Sequence, residues 1–230
     1  MDKPITVLLA EDDQQLAFLI RENLEEEGYS VIGCADGVIA WDYFQKKQPD
    51  ICLLDINMPN QDGLSLAKKI RLKTDIVPII FLSAMSMSDD KIRGFETGAD
   101  DYITKPFSMK ELLMRMNVFL RRNKMLIPQK HNEIKIGKML FYPDEMKIVQ
   151  NGNNISLTQR ESELLHFFCT HPNKALKRED ILTHVWGKND YFLGRSMDVF
   201  VTKLRKYLKA EPSVNLETVH NVGFRFNMGI

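Results

Sequence analysis

Carboxylates placed where apolar runs stop are the first candidates for chemistry. Glu11 and Asp12 stand side by side after "ITVLLA" (5–10), and Asp55 closes "ICLLD" (51–55). An ionised carboxylate at the rim of a core is costly unless a cation or hydrogen-bond donors meet it. Two further runs end in such groups: "PIIFLS" (78–83) stops on Ser83, and "DYIT" (101–104) is followed by Lys105 in "ITKPF". Oxygen ligands with one lysine nearby suit a hard divalent cation, and Mg2+, which takes few carboxylates and keeps several waters, is the natural choice. The expected ligands are Asp12, Asp55 and the backbone carbonyl of Asn57, with Glu11 acting through water. In that setting Asp55 is a nucleophile for a phosphoryl group, Lys105 and the metal neutralise the equatorial oxygens, and Ser83 donates a hydrogen bond to the product. Pro59 and Gly63 shape the turn after Asp55, and Pro106 aims Lys105.

These residues work together only if their elements bring them to one edge. Each of the four runs, and "YSVIGC" (29–34), is strand-like and is followed by a segment of helical period, such as "LAFLIRENLEEEG" or "KELLMRMNVFLRR". Apolar strands with helical crossovers predict an α/β fold over 1–122: a five-stranded, doubly wound parallel (βα)5 sheet whose ligands sit at the strands' carboxyl ends. Periodicity lapses over 123–132, where Pro128 interrupts a charged stretch, so a linker is expected there. From 133 to 230 the pattern changes to alternating antiparallel strands with an Asn151-Gly152 hairpin, then a helix opened by Thr158 and Glu161 in capping-box spacing. Helical stretches at about 178–186 and 195–208 precede a last hairpin, "LETVHNVGFRFN". That order predicts an α+β winged-helix domain.

Charge separates the same two halves. The 230 residues carry no formal net charge, yet residues 1–122 hold 15 Lys+Arg against 20 Asp+Glu, and 123–230 hold 16 against 11. An acidic half joined to a basic one implies different partners. The longest apolar stretch is at most half what a helix needs to cross a bilayer, and "MDKPITVLLAEDD" turns acidic before a signal-peptide core develops. Cys34, Cys52 and Cys169 are widely spaced and flanked by apolar residues, which fits a reducing compartment. A cytoplasmic protein with no membrane partner is expected. The histidines lack ligand spacing, and no GxxxxGK[ST] loop is present to make an NTPase.

"RSMDVFVTKLRKYLKA" (195–210) splits by helical angle. Met197, Val201, Leu204 and Leu208 form a packing stripe, and Arg195, Val199, Thr202, Lys203 and Lys206 lie roughly opposite. A basic helix in this position suits the major groove of double-stranded DNA. Lys203 is expected on a base, Arg195 and Arg205 on phosphates and Val199 on a thymine methyl, with Asp198 and Lys206 on the same surface. Phe200 sits beside the stripe and is expected to pack.

The set Glu11-Asp12, Asp55 in "LLDINMP", Ser83-Ala84 and "GADDYITKPFSMKEL" resembles the receiver domain of two-component response regulators over residues 4–122. "LTQRESELL", "VWG", "RSMDVFVTKLRKYL" and "GFRF" extend the resemblance to the OmpR/PhoB subfamily over about 133–228. It implies a phosphoacceptor rather than a turnover enzyme: a sensor histidine kinase phosphorylates Asp55, Ser83 and Tyr102 reposition as the switch, and the phosphorylated chain forms a homodimer. The implied interface is the face of the fourth helix, fifth strand and fifth helix, with Lys91, Arg93, Glu96, Asp100, Asp101, Glu111 and Arg115 as its charges. Promoter DNA with tandem half-sites and RNA polymerase are the further partners implied. The chain departs from the family at Thr202 and His220, where arginine is common; Arg225 remains to reach the DNA backbone. Three other readings stay open. A haloacid-dehalogenase-type phosphatase needs a second acid two residues after its nucleophile, where this chain has Asn57. A module that dimerises without phosphate would not need the acid set, and an RNA binder would need an aromatic platform that is not visible.

Overall fold

Five short aliphatic runs can be buried together only if their backbone groups pair with one another, and a sheet does that. In the computed structural model, which describes residues 4–84, 97–123, 133–187 and 191–229 (side chains 121–123 and 191–196 excepted), they form a parallel sheet. Its strands are β1 Thr6–Ala10, β2 Ser30–Cys34, β3 Ile51–Asp55, β4 Ile79–Ser83 and β5 Asp101–Thr104, in the order β2-β1-β3-β4-β5. β3 and β4 are buried at every position, as strands covered on both faces must be, whereas β2 at the edge is mostly exposed or half-buried.

Helices α1 (Gln14–Glu26), α2 (Gly37–Lys47), α3 (Gly63–Arg71) and α4 (Met109–Asn123) cover the sheet. Ile20 and Leu24 of α1 and Leu112, Met116 and Phe119 of α4 pack against Val7, Leu9, Leu53, Ile80 and Leu82, so these two helices share one face. Each such fully buried aliphatic side chain contributes roughly 1.5–3 kcal/mol. The first three helices start where aspartates cap them: Asp13, Asp36 and Asp62 accept from the N–H groups of the first turn. The helical segment expected between β4 and β5 falls on 85–96, outside the described residues.

The chain divides into two compact units, Met1–Met125 and Leu126–Ile230. The second opens with an antiparallel sheet of β6 Ile134–Ile136, β7 Met139–Tyr142, β8 Lys147–Gln150 and β9 Asn153–Ser156. Its β8–β9 turn is Asn151-Gly152, both left-handed (φ 50° and 80°), as a two-residue hairpin requires. Helix α5 (Gln159–Cys169) begins with the full capping box between Thr158 and Glu161. Then come β10 (Ala175–Lys177), α6 (Arg178–Trp186), α7 (Tyr191–Leu208) and the hairpin β11 (Asn215–Val219) and β12 (Gly223–Asn227), with β10 completing a three-stranded sheet in the order β10-β12-β11. Met197, Phe200, Val201, Leu204 and Leu208 are all buried, and Phe200 lies 5.7 Å from Trp186, ring centre to ring centre. This is a winged helix in which α7 packs by the stripe read from its sequence. No helix among the described residues is long and apolar enough to cross a membrane. The three cysteines are buried free thiols, each pushed up to about 12 chiefly by burial.

Candidate functional site

Parallel strands end at the same edge, and their carboxyl ends carry the candidate residues. Registers Ala10↔Leu54, Asp55↔Leu82 and Ser83↔Thr104 align the ends of β1, β3, β4 and β5. Each of Glu11, Asp12 and Asp55 offers an oxygen within 4.8 Å of the others'. Glu11 and Asp55 are buried and Asp12 is exposed. Lys105 reaches into the cluster: its Nζ donates to Asp55 Oδ2 at 2.7 Å and to Glu11 Oε1 and Oε2 at 2.8 and 2.7 Å. The peptide after it, Lys105–Pro106, is cis.

One ammonium does not balance three carboxylates in so small a volume. The Glu11 carboxyl is pushed up to about 7, first by burial and then by the Asp55 charge, against the pull of Lys105. For Lys105 burial acts downward, but its bonds to Asp55 and Glu11 outweigh it and the amine is held above its ordinary value. The donor set is all oxygen, charge-rich and open to solvent through Asp12, which fits a hard divalent cation.

The loop after β3 bends sharply over the acids. Asn57 N–H donates to Asp55 Oδ1 at 3.1 Å, and Asn57 itself is exposed. Gly63 N–H returns to the Ile56 carbonyl at 2.9 Å. A Cβ on Gly63 would lie 2.1 Å from the Asp55 carbonyl oxygen, so only glycine fits there. Ser83 is buried at the end of β4, and its carbonyl accepts from Lys105 N–H at 2.8 Å. Tyr102 is buried too, edge-on to Phe81 with ring centres 6.4 Å apart.

The charges expected on a dimer face divide. Lys91, Arg93 and Glu96 lie outside the described residues. Asp100 does not stand on a surface: it is 1% exposed, and its Oδ2 accepts from Arg71 at 2.7 Å and from Ile79 N–H at 2.9 Å. Arg71 also donates to the carbonyls of Gly98, Thr74 and Val77, so this pair staples the loops before β4 and β5 inside its own unit. Asp101 is likewise buried, 2.7 Å from Arg115, which also pairs with the more exposed Glu111 at 3.0 Å.

On α7 the outward residues are Asp198, Thr202, Arg205 and Lys206, with Val199 half-buried. Arg195 lies in the helix, its side chain outside the described set. Several of these residues already have partners. Asp198 takes a bidentate pair from Arg178, both bonds 2.8 Å. Thr202 Oγ1 donates to the Asp198 carbonyl at 2.8 Å. Arg205 turns to the terminal hairpin, donating to the Leu216 carbonyl at 2.6 Å and Thr218 Oγ1 at 2.8 Å. Lys203 is mostly covered and lies 3.5 Å from the buried Glu161. Arg225 pairs with Glu217 at 3.1 Å. Arg178 and Glu161, which engage the helix from α6 and α5, were not singled out as partners from the sequence, because nothing local says that either meets α7.

The comparisons with known proteins agree with this architecture. Residues 7–117 match the family described as response regulator receiver domain, and 152–226 match transcriptional regulatory protein, C terminal. The chain is 41% identical over 225 residues to the transcriptional regulatory protein RprY of Bacteroides fragilis (strain YCH46), covering 98% of this chain and 95% of that one. Among solved structures, the receiver domain of the Francisella response regulator 1452 is 38% identical, covering 53% of this chain and 99% of that one, with a TM-score of 0.50. The Thermotoga maritima OmpR/PhoB homologue DrrB shares the fold at 24% identity, 98% and 100% coverage and a TM-score of 0.51. The chain belongs to the OmpR/PhoB-type response regulators, in which a receiver is joined to a winged-helix transcriptional regulatory domain. It is thus a two-component phosphoacceptor transcription factor and not a turnover enzyme; a histidine kinase and DNA are the partners its two domains imply.

Proposed function

We propose that phosphorylation of Asp55 in a receiver spanning 1–122 is transmitted through a linker at 123–132 to a DNA-binding domain at 133–230. The observation that carries the reading is the cluster of Glu11, Asp12 and Asp55, with the Lys105 amine reaching Glu11 and Asp55, at the carboxyl edge of the sheet. Asp12, Asp55 and the Asn57 carbonyl hold Mg2+, with Glu11 acting through water. When bound, the ion supplies the positive charge that lets a phosphoryl group approach this acidic edge. An Asp55 carboxylate oxygen forms the new bond to phosphorus as the phosphorus–nitrogen bond to the kinase's phosphohistidine breaks. Lys105 neutralises the phosphoryl oxygens, and Ser83 donates a hydrogen bond to the product.

Ser83 and Tyr102 carry the change to the dimer face, where Glu111, held by the Arg115 that Asp101 anchors from beneath, sets register with Lys91, Arg93 and Glu96; exposed pairs contribute only about 0–1 kcal/mol each. The homodimer binds tandem half-sites in promoter DNA within the cytoplasm and meets RNA polymerase there. In this reading Arg195, Val199, Thr202 and Lys206 of α7 face the groove and Lys203 joins them on leaving Glu161, with Asp198 holding Arg178 back beside them and Arg205 and Arg225 flanking from the hairpin side.

Incubation with Mg2+ and a small phosphoryl donor, followed by intact-mass measurement, tests the reading. One added phosphoryl group is expected, absent from Asp55→Asn. No mass gain under forcing conditions, or an equal gain in the variant, rules Asp55 out as the acceptor.

A further inference from the structure

Two stretches of chain build the acidic cluster, and the corner between β2 and α2 touches both. Glu11 N–H donates to the Cys34 carbonyl at 3.0 Å, which ties the acid pair to the end of β2. Two residues on, Asp36 is buried. Its Oδ1 accepts from Val38 and Ile39 N–H at 2.8 Å each, and its Oδ2 accepts from Asn60 Nδ2 at 2.9 Å. Beside it, Gly37 N–H donates to the Gln61 carbonyl at 3.2 Å, and a Cβ on Gly37 would stand 2.4 Å from that oxygen. Asn60 and Gln61 belong to the loop that carries Asn57.

Asn60 is an unforced choice on backbone grounds. It stands at φ 63°, and the Gln61 N–H folds back onto the Pro59 carbonyl at 2.7 Å. Glycine would hold that φ at less cost. What asparagine adds is the amide that reaches Asp36. Two bonds to the helix N-terminus and the one from Asn60 keep the Asp36 carboxyl below the usual carboxylate range, the Ile39 N–H acting most strongly. Lys69 braces the same loop by donating to Gln61 Oε1 at 2.6 Å.

We propose that Asp36 and Asn60 are positioning residues for the metal site: their hydrogen bond holds the β3–α3 loop so that the Asn57 carbonyl stays beside Asp55. The proposal rests on the magnesium reading above. The β2–α2 corner then sets the separation between the two halves of the cluster, Glu11 and Asp12 on one side and Asp55 and Asn57 on the other. Its loss weakens Mg2+ uptake while leaving the chemistry at saturation intact, because neither residue touches the phosphoryl group.

The test follows phosphorylation of the full chain by acetyl phosphate, read as intact mass, across a range of MgCl2. Asn60→Gly keeps the left-handed backbone and removes only the amide; it raises the half-saturating Mg2+ about fivefold, with the rate at saturation unchanged and the melting temperature lowered by only a few degrees. Asn60→Asp sets carboxylate against carboxylate and raises it further. Exchanging donor and acceptor, Asp36→Asn with Asn60→Asp, restores the bond and the cap and brings the value back to within about twofold of the parent. A parental half-saturation in Asn60→Gly, or no recovery in the exchanged pair, overturns the proposal. A parent chain that gains no phosphoryl group at any Mg2+ concentration overturns the magnesium reading and this proposal with it, and the parent trace alone separates the two failures.

Discussion

The receiver's acidic cluster and the effector's basic helix handle charge in opposite ways. In the receiver, three carboxylates gather at one edge with Lys105 reaching two of them, and burial, aided by the Asp55 charge, pushes the Glu11 carboxyl up to about 7. On the winged helix most of the cations described are already matched inside the chain: Arg178 by Asp198, Lys203 by Glu161, Arg225 by Glu217, and Arg205 by a carbonyl and a hydroxyl. The first site is poised to gain a cation. On the proposed reading, the second gives up internal partners to meet an anion, so a ligand completes one region and competes with the other.

Removing the only amine that the described residues bring to the acidic cluster breaks the first half of that contrast most severely. Lys105→Met leaves Glu11 and Asp55 buried without a cation, and a loss of roughly 3 kcal/mol is expected in chemical denaturation without Mg2+. Adding Mg2+ restores part of it. An unchanged stability means that Lys105 is not what holds the acids together.

Burial of Glu11 sets a pH dependence. The Glu11 carboxyl moves from its ordinary 4.5 to about 7 in the fold, so the unfolded chain releases this proton first. Its contribution to stability is full below about 4.5 and is lost as pH rises through about 7. A proton on Glu11 removes a negative charge that favours the metal, so Mg2+ affinity rises with pH and levels off above about 7, with proton release on binding below that. An affinity flat from pH 5 to 8 contradicts this.

The effector half is sharpened by freeing one cation. Asp198→Asn removes the carboxylate that holds Arg178, and non-specific DNA affinity at low salt is expected to rise about fivefold. The salt dependence steepens as Arg178 joins the phosphate contacts. A fall in affinity means instead that Asp198 orients Arg178 for DNA.

What the sequence made legible follows from how local each signal is. Aliphatic runs ending in Glu11, Asp55 and Ser83 are strands at nearly the expected bounds, because burial on both faces writes itself into every residue. The capping box at Thr158 and the Asn151-Gly152 turn are likewise local chemistry. β10, Ala175–Lys177, is legible only through its partner β12: three residues with a lysine at one end carry no period. Helix α7 begins at Tyr191, four residues before the expected start, across a glycine that argues for a break. Pairings are harder still. Asp100 looked like a surface charge until Arg71, 29 residues away, took its carboxylate into the core.

Calorimetric titration of MgCl2 into the full chain at pH 8 tests the central claim most directly. The account predicts one ion bound per chain, with binding strongly weakened in Asp12→Ala, whose exposed carboxylate contributes to the site without supporting the core. Absence of uptake, or equal uptake by the variant, contradicts it.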